Sequence, residues 1–447
     1  ISDISDASRL DAELVREEMP GAALSLSHLI MPKAPEFERA STTIVNAFVN
    51  PRVTAYLDKL VDKLHAAGYQ HELLAMQCSG GVMSREFIRQ KPIVVLASGP
   101  AGGVMGGAEL GKSKGASNLL CVDMGGTSYD VSVVKNGIAP AEPGWNWHHR
   151  YLVGLPMVSV VTVGAGGGSI AWIDEAGMLR VGPQSAGATP GPVCYGRGGT
   201  LPTLTDANLA LGRLDPAALL SVDNPVTIED VRDAIRREVG DPLCLSVDEA
   251  ASAILRVGND LMAGAVRMVS LSRGRDPRDF ALFAFGGAGP MHAAALAKEL
   301  SIPRVFLPAR PGITNALGCI AADLRHDFVN TLNTPLSTLD IEVARKLVRE
   351  QVVSGRAAIE RDNVPVEAVE FLYTADMQFQ GQTHVLSVPL SGPDFTLEEL
   401  RDTFSKVYFE RFAVELPEIR PVLVNLHTAA IGRRKAIPME ALAPDGE

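Results

Sequence analysis

The residues with the most chemical potential form one short run, Cys121-Val122-Asp123-Met124-Gly125-Gly126-Thr127-Ser128-Tyr129-Asp130-Val131. An apolar stretch, 118–123, leads into a turn at 124–129 and a return stretch at 131–134, which predicts a β-hairpin with a glycine-rich tip. A carboxylate at the end of a buried strand is well placed to hold Mg²⁺ or Mn²⁺, directly or through water, and Asp123 takes that role here. Gly125 and Gly126 let backbone N–H groups turn toward a phosphate as an anion nest. Thr127 and Ser128 add hydroxyls, and Asp130 adds a second carboxylate, the candidate catalytic residue, near the metal or an attacking water. An ordinary Gly-Gly turn would account for Asp-x-Gly-Gly by itself. The Thr, Ser and second Asp that follow favour phosphate chemistry.

A second glycine turn, Phe285-Gly286-Gly287-Ala288-Gly289-Pro290, lies between a strand-like run at 279–285 and an alanine- and leucine-rich helix. Gly286, Gly287 and Gly289 would allow a purine or ribose to lie against backbone, and the helix N-terminus favours a phosphate. Tight strand-to-helix packing explains the same glycines. No GxxxxGK[ST] loop occurs. The run from Gly164 to Ser169 breaks the dinucleotide fingerprint at its third glycine, and the cluster at 99–107 has the wrong register. His148 and His149, beside Trp145 and Trp147, could line a substrate or subunit contact, but adjacent histidines diverge and a shared metal is not expected. Cys194 has no activating neighbour and reads as a buried structural thiol. Asp206 could be catalytic or metal-binding, with capping of a helix at 207–211 at least as good an account. His292 reads as packing at a helix start, and His28 as a strand-end residue.

The elements that must position these residues follow from periodicity. Val53, Leu57, Leu60, Val61 and Leu64 mark one face of a helix, and 249–271 reads as a long amphipathic helix. Short buried strands are expected at 22–29 and 158–163, an apolar β-branched run at 93–97, a polar aromatic loop at 136–156 and an extended loop at 180–205. Beyond about 330 the pattern shifts to a helix at 341–361, strands at 368–379 and 383–389, a helix opened by Thr396 with Glu399 as a capping box, and an alternating strand through Val422, Val424 and Leu426. The division expected is 1–117, 118–330 and 331–447, the last as a separate α+β domain.

The chain's 447 residues are 46% hydrophobic and carry a net charge of −11, which disfavours a nucleic-acid partner. Five scattered cysteines without a CxxC pair argue against a disulfide framework or structural zinc and fit a reducing cytoplasm. No apolar run reaches the roughly 18 residues that span a bilayer.

Together these stretches resemble the actin-like ATPase superfamily of sugar kinases and actin. More narrowly they resemble the hydantoinase A/oxoprolinase family, which includes the ATP-binding subunits of acetone and acetophenone carboxylases. The resemblance rests on 38–43, 98–104, 123–131, 163–170, 185–199, 205–208 and 285–290. It implies an α/β, ribonuclease H-like two-lobed ATPase core: 1–117 as the remainder of the first lobe, 118–330 as the nucleotide-binding lobe. It further implies ATP with Mg²⁺, activation of a small carbonyl substrate, and a larger catalytic partner of hydantoinase B type contacting 144–199. Members normally carry a further N-terminal phosphate loop ahead of the helix that opens this chain. The nucleotide site is therefore expected to be completed by a segment or subunit beyond it. The tryptophans before 153–156 tilt the expectation toward ketone carboxylation with bicarbonate. Hydrolysis of a cyclic amide (hydantoin or 5-oxoproline) and a non-catalytic scaffold are the alternatives.

Overall fold

A strand that is apolar at nearly every position must be covered on both faces. In the computed structural model, which describes residues 11–33, 36–147, 151–219, 222 and 226–437, Leu119–Met124 is the middle strand of a five-stranded sheet. Ala281–Phe285 pairs parallel on one side of it and Tyr129–Val134 antiparallel on the other. Val160–Val163 and Val305–Phe306 form the edges. Side chains alternate across the sheet. Leu120, Val122 and Met124 pack with residues of the helices Val247–Val269 and Gly289–Leu300, whereas Leu119 and Cys121 pack with Ala101, Val104 and Ala108 of the helix Ser98–Ser113. Asp123 shares the second face by strand alternation.

The helix Val247–Val269 starts at a capping box of Ser246 and Glu249, in which each side chain accepts from the other residue's backbone N–H. At Thr396 the expected box is half formed. Thr396 accepts from the Glu399 backbone N–H, but the Glu399 carboxylate accepts instead from the Ser391 N–H at 2.7 Å.

The fold is mixed α/β and divides into two compact units, neither of them contiguous. One comprises 1–98, 141–157 and 322–437, and the other 99–140 and 158–321, taken over the described residues. The first unit is built on a six-stranded sheet in the order Leu74–Met76, Val82–Ser84, Leu324–Pro335, Pro421–Arg433, Ala368–Phe379 and Leu386–Leu390. The C-terminal segment is thus not a lobe of its own, as the division at 330/331 would have it. Val82 pairs with Leu324, so the early hairpin and the late strands complete one sheet. Pro421–Arg433 is buried along most of its length, not on alternate positions, because it is an inner strand with the helix Ile341–Arg361 packed against it.

Three further local expectations differ. Residues 22–26 form no strand and Ser27–Ile30 is a helical turn, so His28 is not at a strand end; Ser25 is tied by Asn46 of the helix Glu36–Ala66. The β-branched run at 93–97 supplies a 3₁₀ turn, Pro92–Val95, followed by a helix that opens at Ser98. The segment read as a polar loop contains two paired strands, Ala141–Trp147 and Tyr151–Val158; His148 and His149 lie outside the described residues.

Candidate active site

Asp123 and Asp130 are direct cross-strand partners next to the turn of the hairpin. Facing residues on one side of an antiparallel pair sit about 5 Å apart, so two like charges here are unfavourable unless a cation lies between them. Burial pushes the Asp123 carboxyl above the usual aspartate range, opposed by a hydrogen bond from Asn315 Nδ2 at 2.9 Å. Burial also raises Asp130; the Thr162 hydroxyl, donating at 2.6 Å, opposes the rise, and the Asp123 charge adds to it.

Asn315 is held by helix packing. The helix Thr314–Ala321 lies so close to Ser98–Ser113 that a side chain on Gly318 would collide with the Gly102 carbonyl. The glycine run at 98–107, which looks like a phosphate loop out of register, is therefore a helix–helix contact face. Asn315 Oδ1 is buried with no hydrogen-bond partner among the described residues. Neither Asn315 nor Thr162 stands out in sequence, because each acts through a residue far away along the chain.

Three glycine segments meet at the hairpin tip. The Gly167 N–H donates to the Gly125 carbonyl at 2.9 Å and the Gly168 N–H to Gly126 at 2.6 Å, while Thr205 Oγ1 donates to the Gly167 carbonyl at 2.8 Å. From the other side, the Ala288 N–H donates to the Met124 carbonyl at 3.0 Å. Gly286 has φ +80, and a Cβ there would strike the Asp123 carboxylate. Its identity is accounted for by this packing. Gly287 is exposed with open space around it, and Gly289 is buried at the start of the helix.

Gly125 and Gly126 differ from Gly286. Both are exposed, neither has a positive φ, and a Cβ on either would meet nothing within 4 Å. The fold itself has no need of glycine at these two positions. Among the described residues, none hydrogen-bonds to the N–H groups of Gly126, Thr127 or Ser128, or to the hydroxyls of Thr127 and Ser128. A set of unengaged N–H and hydroxyl donors, with room for a ligand to approach the backbone, suits phosphate oxygens. The two carboxylates suit a divalent cation that keeps water and phosphate oxygens in its shell, since no group of three metal-ligating side chains occurs among the described residues.

The other candidates are structural. Asp206 is buried and accepts from the N–H groups of Val193, Cys194 and Thr203 and from the Thr203 hydroxyl, at 2.8–3.1 Å. It is the third residue of the helix Leu204–Ala210, which Thr203 caps, and has little capacity left for a metal. Cys194 is buried beside it, its thiol pushed up first by burial and then by the Asp206 charge. His292 is buried between Asn259, 2.7 Å from Nδ1, and Asn208, 3.4 Å from Nε2. No helix among the described residues is long and apolar enough to cross a membrane.

The family model "Hydantoinase/oxoprolinase" matches residues 39–328. The alpha subunit of caprolactamase from Pseudomonas jessenii is 37% identical over 96% of this chain and 62% of its own length. The gamma subunit of acetophenone carboxylase from Aromatoleum aromaticum is 32% identical over 92% of the chain and 57% of its own length. The crystal structure of the ATP-dependent caprolactamase superposes with a TM-score of 0.85 at 36% identity, over 94% of this chain and 62% of that one. A nucleotide-free acetone carboxylase structure gives 0.73 at 26% identity, over 96% and 63%. The chain thus spans less than two thirds of the relatives it matches, and it belongs to the hydantoinase/oxoprolinase family.

Proposed function

We propose that the chain is the nucleotide-binding portion, of actin-like type, of an ATP-dependent enzyme that activates the carbonyl group of a small substrate. The observation that carries this reading is the hairpin tip, with unengaged donors and two glycines the fold does not require, beside a cross-strand pair of aspartates. In it Asp123 holds the divalent cation and Asp130 orders the attacking group. The N–H groups and hydroxyls of 125–128 bind phosphate oxygens, and the turn at 286–289 lies along the adenosine. Asn315 and Thr162 hold the two carboxylates in place. When bound, Mg²⁺ supplies charge neutralisation for phosphoryl transfer. Donors already aimed at the phosphates need no reorganisation as charge develops.

For the substrate we propose a cyclic amide first, opened after ATP-dependent activation of its carbonyl oxygen, with a larger hydantoinase B-type subunit completing the reaction. The caprolactamase subunit's higher identity favours this over ketone carboxylation. Ketone carboxylation with bicarbonate is the second reading, supported by the match to the acetophenone carboxylase subunit over 92% of the chain. The tryptophan motif that favoured it in sequence has side chains outside the described residues.

Steady-state ATP hydrolysis by the assembled enzyme tests both. Caprolactam or 5-oxoproline should stimulate phosphate release, and Asp123→Asn should abolish that stimulation while the thermal transition is retained. Stimulation by ketone and bicarbonate alone would select the second reading. Wild-type hydrolysis in Asp123→Asn would overturn the site.

A further inference from the structure

The unit formed by 1–98, 141–157 and 322–437 contains a cavity of about 1030 Å³ with none of the proposed nucleotide-site residues among its lining. Its apolar wall includes Leu24, Met83, Phe87, Val94, Leu155 and Phe328; its polar wall includes Gln77, Ser79, Lys91, Asn330 and Gln351. The volume is that of a small-molecule site, and the mixture of walls is what such sites use to orient a ligand.

Several of the polar groups are already committed within the chain. Gln351 donates to Asn330 Oδ1 and the Leu426 carbonyl and accepts from Thr428. His326 is paired with Asp362 at 2.6 Å. Asp327 is clasped by Arg325 through two nitrogens, at 2.8 and 2.9 Å. Lys91 is different. Its side chain is half-buried in the cavity wall, yet no carboxylate among the described residues lies within ion-pair distance of it, and Asp327, the acid that acts on it from farther off, is taken by Arg325. The cavity lining also holds two buried polar atoms with no hydrogen-bond partner among the described residues, Ser79 Oγ and His28 Nδ1. Unpaired ammonium and orphaned polar atoms are costly to bury, and a bound acceptor would offset that cost.

We propose that this cavity binds a small organic anion, with its acidic group against Lys91 and its apolar body along Leu24, Met83, Phe87 and Leu155. The cavity shares no lining residue with the proposed nucleotide site. The acidic group can be a carboxylate or a phosphate monoester, since both offer an ammonium the same charged oxygens. Burial lowers the Lys91 ammonium to about 8, opposed by the Asp327 charge, with Lys33 adding to the shift. Burial pushes the Cys78 thiol up to about 12, so it stays neutral. Anion affinity therefore falls as pH rises through about 8, where the ammonium loses its proton.

Calorimetric titration of the intact protein with hexanoate, hexyl phosphate and neutral hexanamide tests this. Either or both anions should bind, the tighter one identifying the acidic group, and hexanamide should bind far more weakly. Lys91→Met should weaken anion binding roughly 10- to 100-fold, the loss of one charge-assisted contact. Replacing an unpaired buried charge by a thioether of similar length is not expected to unfold the protein. Ala357→Phe, which fills the cavity from the helix Ile341–Arg361, should weaken binding independently. Equal affinity for hexanamide and hexanoate, unchanged affinity in Lys91→Met, or no binding of either anion at millimolar concentration would each overturn the proposal.

Discussion

Alanine at Gly286 and at Gly126 should separate what the fold requires from what a ligand requires. At Gly286, φ is +80, which costs a residue with a Cβ about 1.5 kcal/mol. The new methyl would also strike Asp123 Oδ1 and lie 2.5 Å from the Met124 carbonyl oxygen and 2.8 Å from its nitrogen. Relieving such overpacking costs about 2 kcal/mol more. The unfolded chain loses freedom when glycine becomes alanine, which returns about 0.7 kcal/mol. Gly286→Ala should therefore destabilise by about 3 kcal/mol, a drop in Tm of roughly 6–12 °C for a unit of this size. At Gly126 the methyl meets nothing within 4 Å, so stability should change by less than about 0.5 kcal/mol. If phosphate approaches that backbone, the methyl displaces it from one or more N–H groups. Losing one charge-assisted hydrogen bond weakens ATP binding roughly 10- to 100-fold. Thermal unfolding by circular dichroism and calorimetric titration with Mg²⁺ and ATP read the two effects separately. Gly126→Ala protein that binds ATP like the parent, or that melts as early as Gly286→Ala, would refute the reasoning.

Two further outcomes follow from titration. Because burial raises both Asp123 and Asp130 in the folded state, their ionisation works against folding above the usual aspartate range. Asp130→Asn without metal should therefore melt higher than the parent at neutral pH, with the difference closing as pH falls through the raised range to about 4; a constant difference from neutral pH down to about 4 would contradict the assignment. Burial lowers His292 from 6.5 to about 4, so the folded chain holds it neutral while the unfolded chain protonates it. Stability should fall as pH drops from 6.5 toward 4, and His292→Gln should flatten that slope in urea unfolding curves.

The part of the site carried by one stretch of chain was legible in sequence. The two aspartates, the tip between them and the Gly286 turn are each a local pattern of strand, turn and polar residue, and the structure brings them together as a unit. What supports them was not legible. Asn315 reaches Asp123 only because two glycine-rich helices approach closely, and the run at 164–169 matters as a backbone partner of the tip, not as a phosphate loop of its own. The same reason hid the architecture. Strands at 368–379 and through Val422, Val424 and Leu426 were expected, but that they share a sheet with Val82–Ser84 is a pairing across most of the chain that periodicity does not encode.

That distant pairing bears on how the protein is made. Apart from the excursion at 141–157, the five strands and covering helices that carry the aspartates come from 99–321 and can condense as soon as that stretch has left the ribosome. The hairpin Leu74–Ser84 is synthesised earlier, yet its neighbour Leu324–Pro335 and the inner strand Pro421–Arg433 arrive much later. During that wait its backbone edge stays unpaired, the condition that invites association with other chains. The order of maturation is thus the reverse of the order of synthesis at the N-terminal end. The aspartate pair is assembled first. The sheet flanking the Lys91 cavity closes last, so the early hairpin carries an unpaired edge while 99–321 is being made.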